Sequence, residues 1–179
     1  MHHTSTPSPW IERWSHLIPP CSEVLDLACG HGRHMHFLQQ QGHRVLGVDR
    51  DVQALHTAST YGQVLQADVE NAAWPLPLTQ RFDAVVVTNY LWRPLWPSLI
   101  RCLKPGGVLL YETFSEGNET VGRPARPEFL LRRGELLQLC ADLHVVAFEQ
   151  GFATTPERYI QRIAAIATQE NAPWPLATR

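Results

Sequence analysis

The sequence predicts an α/β fold in which a mostly parallel sheet carries helices on both faces. Three observations lead there. Short aliphatic and β-branched runs alternate with amphipathic stretches of helical period, the pattern of a sheet buried on both faces. One of those runs, Val24 to Leu27, enters a glycine turn that opens a helical stretch. The last two runs lie too close together for a parallel crossover, so they are expected to pair antiparallel at one sheet edge.

In chain order, the prolines at 7, 9, 19 and 20 bracket an amphipathic stretch, Trp10 to Ile18, expected as a helix laid over the sheet. Strands are expected at Val24 to Leu27, Arg44 to Val48, Val64 to Ala67, Phe82 to Thr88 and Gly107 to Thr113. Between them, Arg33 to Gln41 reads as a helix stopped by Gly42. Val52 to Ser59 and Leu95 to Leu103 carry apolar residues three and four apart. A polar loop follows from Ser115 to Pro127, then a helix from Glu128 to Cys140, then the strands His144 to Glu149 and Arg158 to Ala167. A length of 179 residues suits one domain, 1–179, with an N-terminal arm over 1–20 and a frayed tail over 168–179.

Composition narrows the partners. Fifteen basic against seventeen acidic residues give a formal charge of -2, and no Lys/Arg run tracks a phosphate backbone, which disfavours nucleic acid. No apolar run approaches the roughly 20 residues that cross a bilayer, and Met1-His2-His3-Thr4 lacks a secretory signature, so no membrane partner and a cytoplasmic location are expected. Cys21, Cys29, Cys102 and Cys140 form no C-x-x-C pair and read as buried small apolar residues. Among nine histidines, His31, His34 and His36 crowd together, yet one lies in the glycine turn and the others point apart on a helix, so no metal site is expected. Oligomeric state is not legible.

The chemistry concentrates at Asp26-Leu27-Ala28-Cys29-Gly30-His31-Gly32-Arg33. Glycines there let a ligand approach the backbone at the carboxyl edge of the sheet, where helix N-termini form a crevice. A dinucleotide fingerprint requires a third glycine where Met35 stands, which disfavours a nicotinamide-dependent oxidoreductase. Asp26 suits a ligand with an amino group. Asp49, ending the second strand before Arg50, can accept both hydroxyls of a ribose if Asp51 caps the next helix instead. Asp68, followed by Val69, can accept from an exocyclic amine.

These residues resemble the class I S-adenosylmethionine-dependent methyltransferase family from Val24 to Ala167. D-L-A-C-G-H-G at Asp26 to Gly32 resembles the family's cofactor loop, with Ala28 at its usual first glycine. Asp49 matches the ribose-binding acid, and Asp68 with Val69 the adenine-contacting pair. Phe82-Asp83-Ala84-Val85 resembles an F-D-x-V strand that ends at Thr88 beside the methionine end of the cofactor. Leu103-Lys104-Pro105-Gly106-Gly107 matches the L-K-P-G-G turn before strand five. The resemblance implies a Rossmann-like seven-stranded sheet of order 3-2-1-4-5-7-6 with strand 7 antiparallel. It also implies S-adenosylmethionine as cofactor, held by Asp26, Ala28, Cys29, Gly30, Gly32, Arg33, Asp49, Arg50, Asp68, Val69 and Thr88, with S-adenosylhomocysteine as product.

The sulfonium is already activated, so positioning is the protein's main task and no residue announces itself as catalytic. After strand four, Asn89, Tyr90 and Trp92 replace the Asn/Asp-Pro-Pro-aromatic box that grips a flipped base, which favours a small-molecule acceptor. Asn89, Tyr90 and Trp92 are expected to wall its pocket, and Arg123 and Arg126 to attract an anionic one. A cofactor-binding module without transfer activity is the other reading.

Overall fold

A computed structural model describes residues 6–168. Its seven strands, β1 (Glu23–Leu27), β2 (Arg44–Asp49), β3 (Gln63–Gln66), β4 (Phe82–Thr88), β5 (Leu103–Phe114), β6 (Leu143–Thr154) and β7 (Glu157–Ala167), form one sheet of order β3-β2-β1-β4-β5-β7-β6. The first five pair in parallel, while β7 runs antiparallel to both β5 and β6. This is the order the family resemblance implies. The expected frayed tail lies, from Gln169 on, outside the described residues.

Five short helices cover the sheet: α1 (Pro9–Trp14), α2 (Arg33–Gln40), α3 (Val52–Ala58), α4 (Trp96–Arg101) and α5 (Glu135–Leu139). Alternation of side chains along the strands divides the core into two. On one face Val24, Val86 and Leu110 pack with Trp10 and Ile11 of α1, Met35 and Leu38 of α2 and Leu55 of α3. On the other, Leu25, Val85, Leu109 and Tyr111 pack with Trp96 and Leu99 of α4 and Leu136 of α5. Strands buried on both faces need apolar residues at nearly every position, hence the continuous runs in the sequence.

Three expectations need correction. The stretch Trp10 to Ile18 is not one helix: α1 ends at Trp14 and a 3-10 turn follows over Ser15–Leu17. Nor is Glu128 to Cys140 one helix. A 3-10 turn at Pro127–Phe129 leads into extended residues that bridge Leu131 to Ser115, and only Glu135–Leu139 is helical. The cause is tertiary: Arg93 donates to the carbonyls of Glu128 and Leu130, both at 2.8 Å, and Gln161 donates to that of Arg132, at 2.6 Å. Those carbonyls are held across the chain rather than along a helix. Cys21, expected to be buried, is exposed in the turn before β1; the other three cysteines are buried.

The L-K-P-G-G segment stands at the amino edge, opposite the glycine turn. Lys104 Nζ lies 3.0 Å from both oxygens of Asp83, whose carboxylate also accepts from Glu23 N–H at 2.8 Å, so one acid joins β1, β4 and β5. Among the described residues no helix is long and apolar enough to cross a membrane.

Two substitutions test the packing. Trp10 is 1% exposed, and Trp10→Ala should cost about 3–5 kcal/mol, read from the urea midpoint at unchanged m-value. Gly32, at φ 80, precedes α2 so closely that a Cβ would stand 2.9 Å from Ala58 Cα and Cβ. Gly32→Ala should therefore cost about 1–3 kcal/mol in the same assay.

Candidate functional site at the carboxyl edge

The turn after β1 is built from left-handed residues: Ala28 at φ 56, Gly30 at φ 53 and Gly32 at φ 80. Alanine pays about 1–2 kcal/mol for that region, so Ala28 is held there by its surroundings. A Cβ at Gly30 would meet nothing within 4 Å, so this part of the backbone faces open space that a ligand can enter. The turn is fastened from the neighbouring strand: Asp49 Oδ2 accepts from Gly30 N–H at 2.8 Å, and its Oδ1 accepts from Asp51 N–H at 2.9 Å. Asp51 caps α3, accepting from Gln53 and Ala54 N–H, which leaves Asp49 free of that duty.

Beside the turn opens a cleft of about 180 Å³, lined by Ala28, Val48, Asp49, Arg50, Ala67, Asp68, Val69, Glu70 and Tyr90. Five expected cofactor residues thus meet: Ala28, Asp49, Arg50, Asp68 and Val69. Asp68 is also a turn residue, its oxygens accepting from Glu70 N–H at 3.0 Å and from the Asn71 side chain at 2.9 Å, contacts that hold its pKa below the usual range. Tyr90, expected in the acceptor pocket, lines this cleft instead. Its phenol is buried without a hydrogen-bond partner, and burial first, then the charge of Glu70, opposes its ionisation.

Asp26 lies beneath the turn, 1% exposed, with Oδ2 unpartnered. Burial is the main force on it and raises its pKa to about 8; Asp49 pushes the same way, while Arg33 and the Met35 N–H oppose. Cys29 is buried, and burial likewise pushes its thiol up. At the adjacent strand end Arg33 Nη2 reaches Thr88 Oγ1 at 3.4 Å.

The remaining acceptor-side expectations scatter. Asn89 is exposed at φ 55 after β4, and Trp92 packs against the apolar core. Arg123 is exposed, while Arg126 pairs with Glu128 and covers the ring of Phe129 at 5.3 Å, apart from the cleft lining. What occupies that side was not anticipated. Glu112, fully buried on β5, accepts from Ser8 Oγ at 3.0 Å and pairs with Arg158 and Arg162 of β7. His34 accepts from Ser8 N–H at 3.1 Å, and burial lowers its pKa to about 3, so it is neutral. A lone acid in the apolar run Val108 to Phe114, and two arginines four apart on one strand face, were the available signals. The crowded histidines diverge: His36 stacks on Tyr61 at 4.5 Å, and among the described residues no His/Cys/Asp/Glu group could hold a metal ion.

Residues 24–107 match a methyltransferase-domain family. No curated protein matches the chain. Among solved structures it resembles TehB from Haemophilus influenzae, at a TM-score of 0.75 and 17% identity, covering 93% of this chain but 64% of that one. It also resembles an S-adenosylmethionine-dependent methyltransferase from Methanosarcina mazei, at a TM-score of 0.67 and 16% identity, covering 91% and 99% of the two chains. The N-methyltransferase NodS from Bradyrhizobium japonicum follows at 0.66 and 17%, covering 90% and 98%. The matched span takes in β1 to β4 and the start of β5, so this part of the chain matches a methyltransferase domain, and the whole sheet has the strand order of the class I methyltransferase fold.

Proposed function

We propose that the chain transfers a methyl group from S-adenosylmethionine to a small-molecule acceptor, releasing S-adenosylhomocysteine. One observation carries this: the Asp26 carboxyl, sealed under the glycine turn with an unpartnered oxygen, next to open space at Gly30. A buried group left in that condition is costly, and a cation bound over the turn offsets the cost. The cofactor presents an ammonium and a sulfonium, and the sulfonium supplies an activated methyl group.

The chain's residues fit the rest of that molecule. Asp49 keeps lone pairs for ribose hydroxyls, since each oxygen accepts only one backbone N–H. Arg50, Val69 and Tyr90 supply flat or apolar walls for a nucleobase, with Asp68 at its rim. Arg33 and Thr88 stand at the end of β4, where the amino-acid tail would extend. In the transfer, an acceptor lone pair forms the bond to the methyl carbon while the carbon–sulfur bond breaks onto sulfur, and any acceptor proton leaves to solvent. Holding nucleophile and methyl in line contributes about 7–11 kcal/mol in favourable cases. The net charge of -2 supports a small molecule rather than nucleic acid as acceptor, and the free thiols Cys21, Cys29, Cys102 and Cys140 support a cytoplasmic setting.

Calorimetric titration with S-adenosylmethionine, S-adenosylhomocysteine and NADH tests the proposal. The first two should bind at micromolar concentrations, about tenfold or more weakly to Asp49→Ala; binding of NADH alone refutes it. Asp26 gives a second check. Its folded pKa, about 8, exceeds the ordinary 3.8, so between those values the native state holds a proton that the unfolded chain has lost. Its contribution to the stability of the unliganded protein is full below pH 3.8 and lost as pH rises through about 8. Urea melts across that window should show this decline in wild type and not in Asp26→Asn.

A further inference from the structure

The two edge strands of the sheet are unlike. β3, at one end, has four residues, while β6, at the other, has twelve and, among the described residues, a single sheet neighbour, β7. An exposed edge presents a row of unpaired backbone donors and acceptors, which proteins blunt with short strands, lysine, proline or a bulge. β3 is short. β6 has a bulge between Val145 and Ala147, but from Ala147 to Thr154 it contains no lysine, arginine or proline. Gln150, Gly151, Phe152 and Thr154 are exposed there.

This stretch reads nearly the same in both directions. Ala147-Phe148-Glu149-Gln150-Gly151-Phe152-Ala153 is symmetric about Gln150 except for Glu149 and Gly151. A two-fold axis brings one patch against its own copy, and an antiparallel strand edge can pair with itself in that way. With the axis at Gln150, Phe148 of each protomer stands opposite the partner's Phe152, and Ala147 opposite the partner's Ala153. Aromatic cross-strand pairs of this kind stabilise a sheet. Glu149 meets the partner's Gly151, where an added Cβ would have nothing within 4 Å, and its charge is matched in its own chain by Arg13 and Arg162. No two like charges stand directly opposite.

The outer part of β6 also lacks support within the chain. β5 ends its pairing with β7 at Ile160, which faces Gly151 of β6, so Phe152 to Tyr159 projects as a two-stranded ribbon. Two strands alone are marginal in water. Phe152 remains 44% exposed although its ring centre lies 5.0 Å from that of Tyr159. We propose that the protein forms a two-fold dimer in which β6 pairs antiparallel with β6 of a second copy about Gln150, joining two seven-stranded sheets into one. The ribbon carries the loop after β5, because Tyr159 accepts from Ser115 N–H at 2.9 Å and donates its N–H to Asn118 Oδ1 at 3.2 Å. Bracing the ribbon braces that loop.

Sedimentation equilibrium over a range of protein concentrations should show a monomer–dimer equilibrium. Phe152→Lys should raise the dimer dissociation constant about tenfold or more, because the axis applies the change twice, whereas Phe152→Tyr should leave it within about twofold. The register has its own test, made in a Cys21→Ser background because Cys21 is exposed. Residues directly opposite lie about 4.5–5.5 Å apart at Cα, within the span of a disulfide, so Gln150→Cys should cross-link to its own copy under mild oxidation. Ala147→Cys, about 20 Å from its own copy, should not. A monomer at every concentration, a dimer unmoved by Phe152→Lys, or cross-linking through position 147 and not 150 overturns the edge pairing.

Discussion

One hydrogen bond, from the N–H of Gly30 to the carboxylate of Asp49, joins the turn after β1 to the end of β2. The arrangement of the carboxyl edge follows from it. With the turn fixed, α2 starts at Arg33 and packs its Met35 and Leu38 on the sheet, Asp26 is sealed beneath, and the cleft opens between the turn and the end of β3. The same carboxylate anchors a turn and stands ready for a ligand, possible because each oxygen has two lone pairs and the protein uses one.

The two edges of the sheet divide the family's motifs by task. Asp83 and Lys104 meet at the amino edge, tying three strands together at the opposite edge from the cleft. The glycine turn, Asp49 and Asp68 stand at the carboxyl edge, where strand ends and helix starts leave a crevice. Motifs that look alike as sequence signals therefore differ in kind, some structural and some facing the cleft.

Legibility followed locality. The strands were readable because burial on both faces forces apolar runs, and the turn because glycines and a following helix are adjacent in sequence. Asp49 was legible because Asp51 stood by to cap α3. The segment from Glu128 to Cys140 was not, because its helical periodicity loses to Arg93 and Gln161, which take its carbonyls from 35 and 29 residues away. That Tyr90 lines the cleft beside Asp49 and Asp68 was not legible, because the chain direction after β4 depends on the backbone at Asn89, whose positive φ the sequence does not announce. The Glu112 cluster draws on Ser8, β5 and β7, separated by up to 104 positions between Ser8 and Glu112 alone, so no sequence window contains it.

The strand order has a further meaning for how such a protein can change. The strands whose ends border the cleft, β3, β2, β1 and β4, form one flank of the sheet, and β5, β7 and β6 form the other. The family match ends at residue 107, just as β5 settles into continuous pairing with β4. The two flanks are two inventories of parts sharing one seam. Residues beyond that seam can be exchanged while the cleft between the glycine turn and the end of β3 keeps its lining, so change on one flank costs this fold little of its architecture.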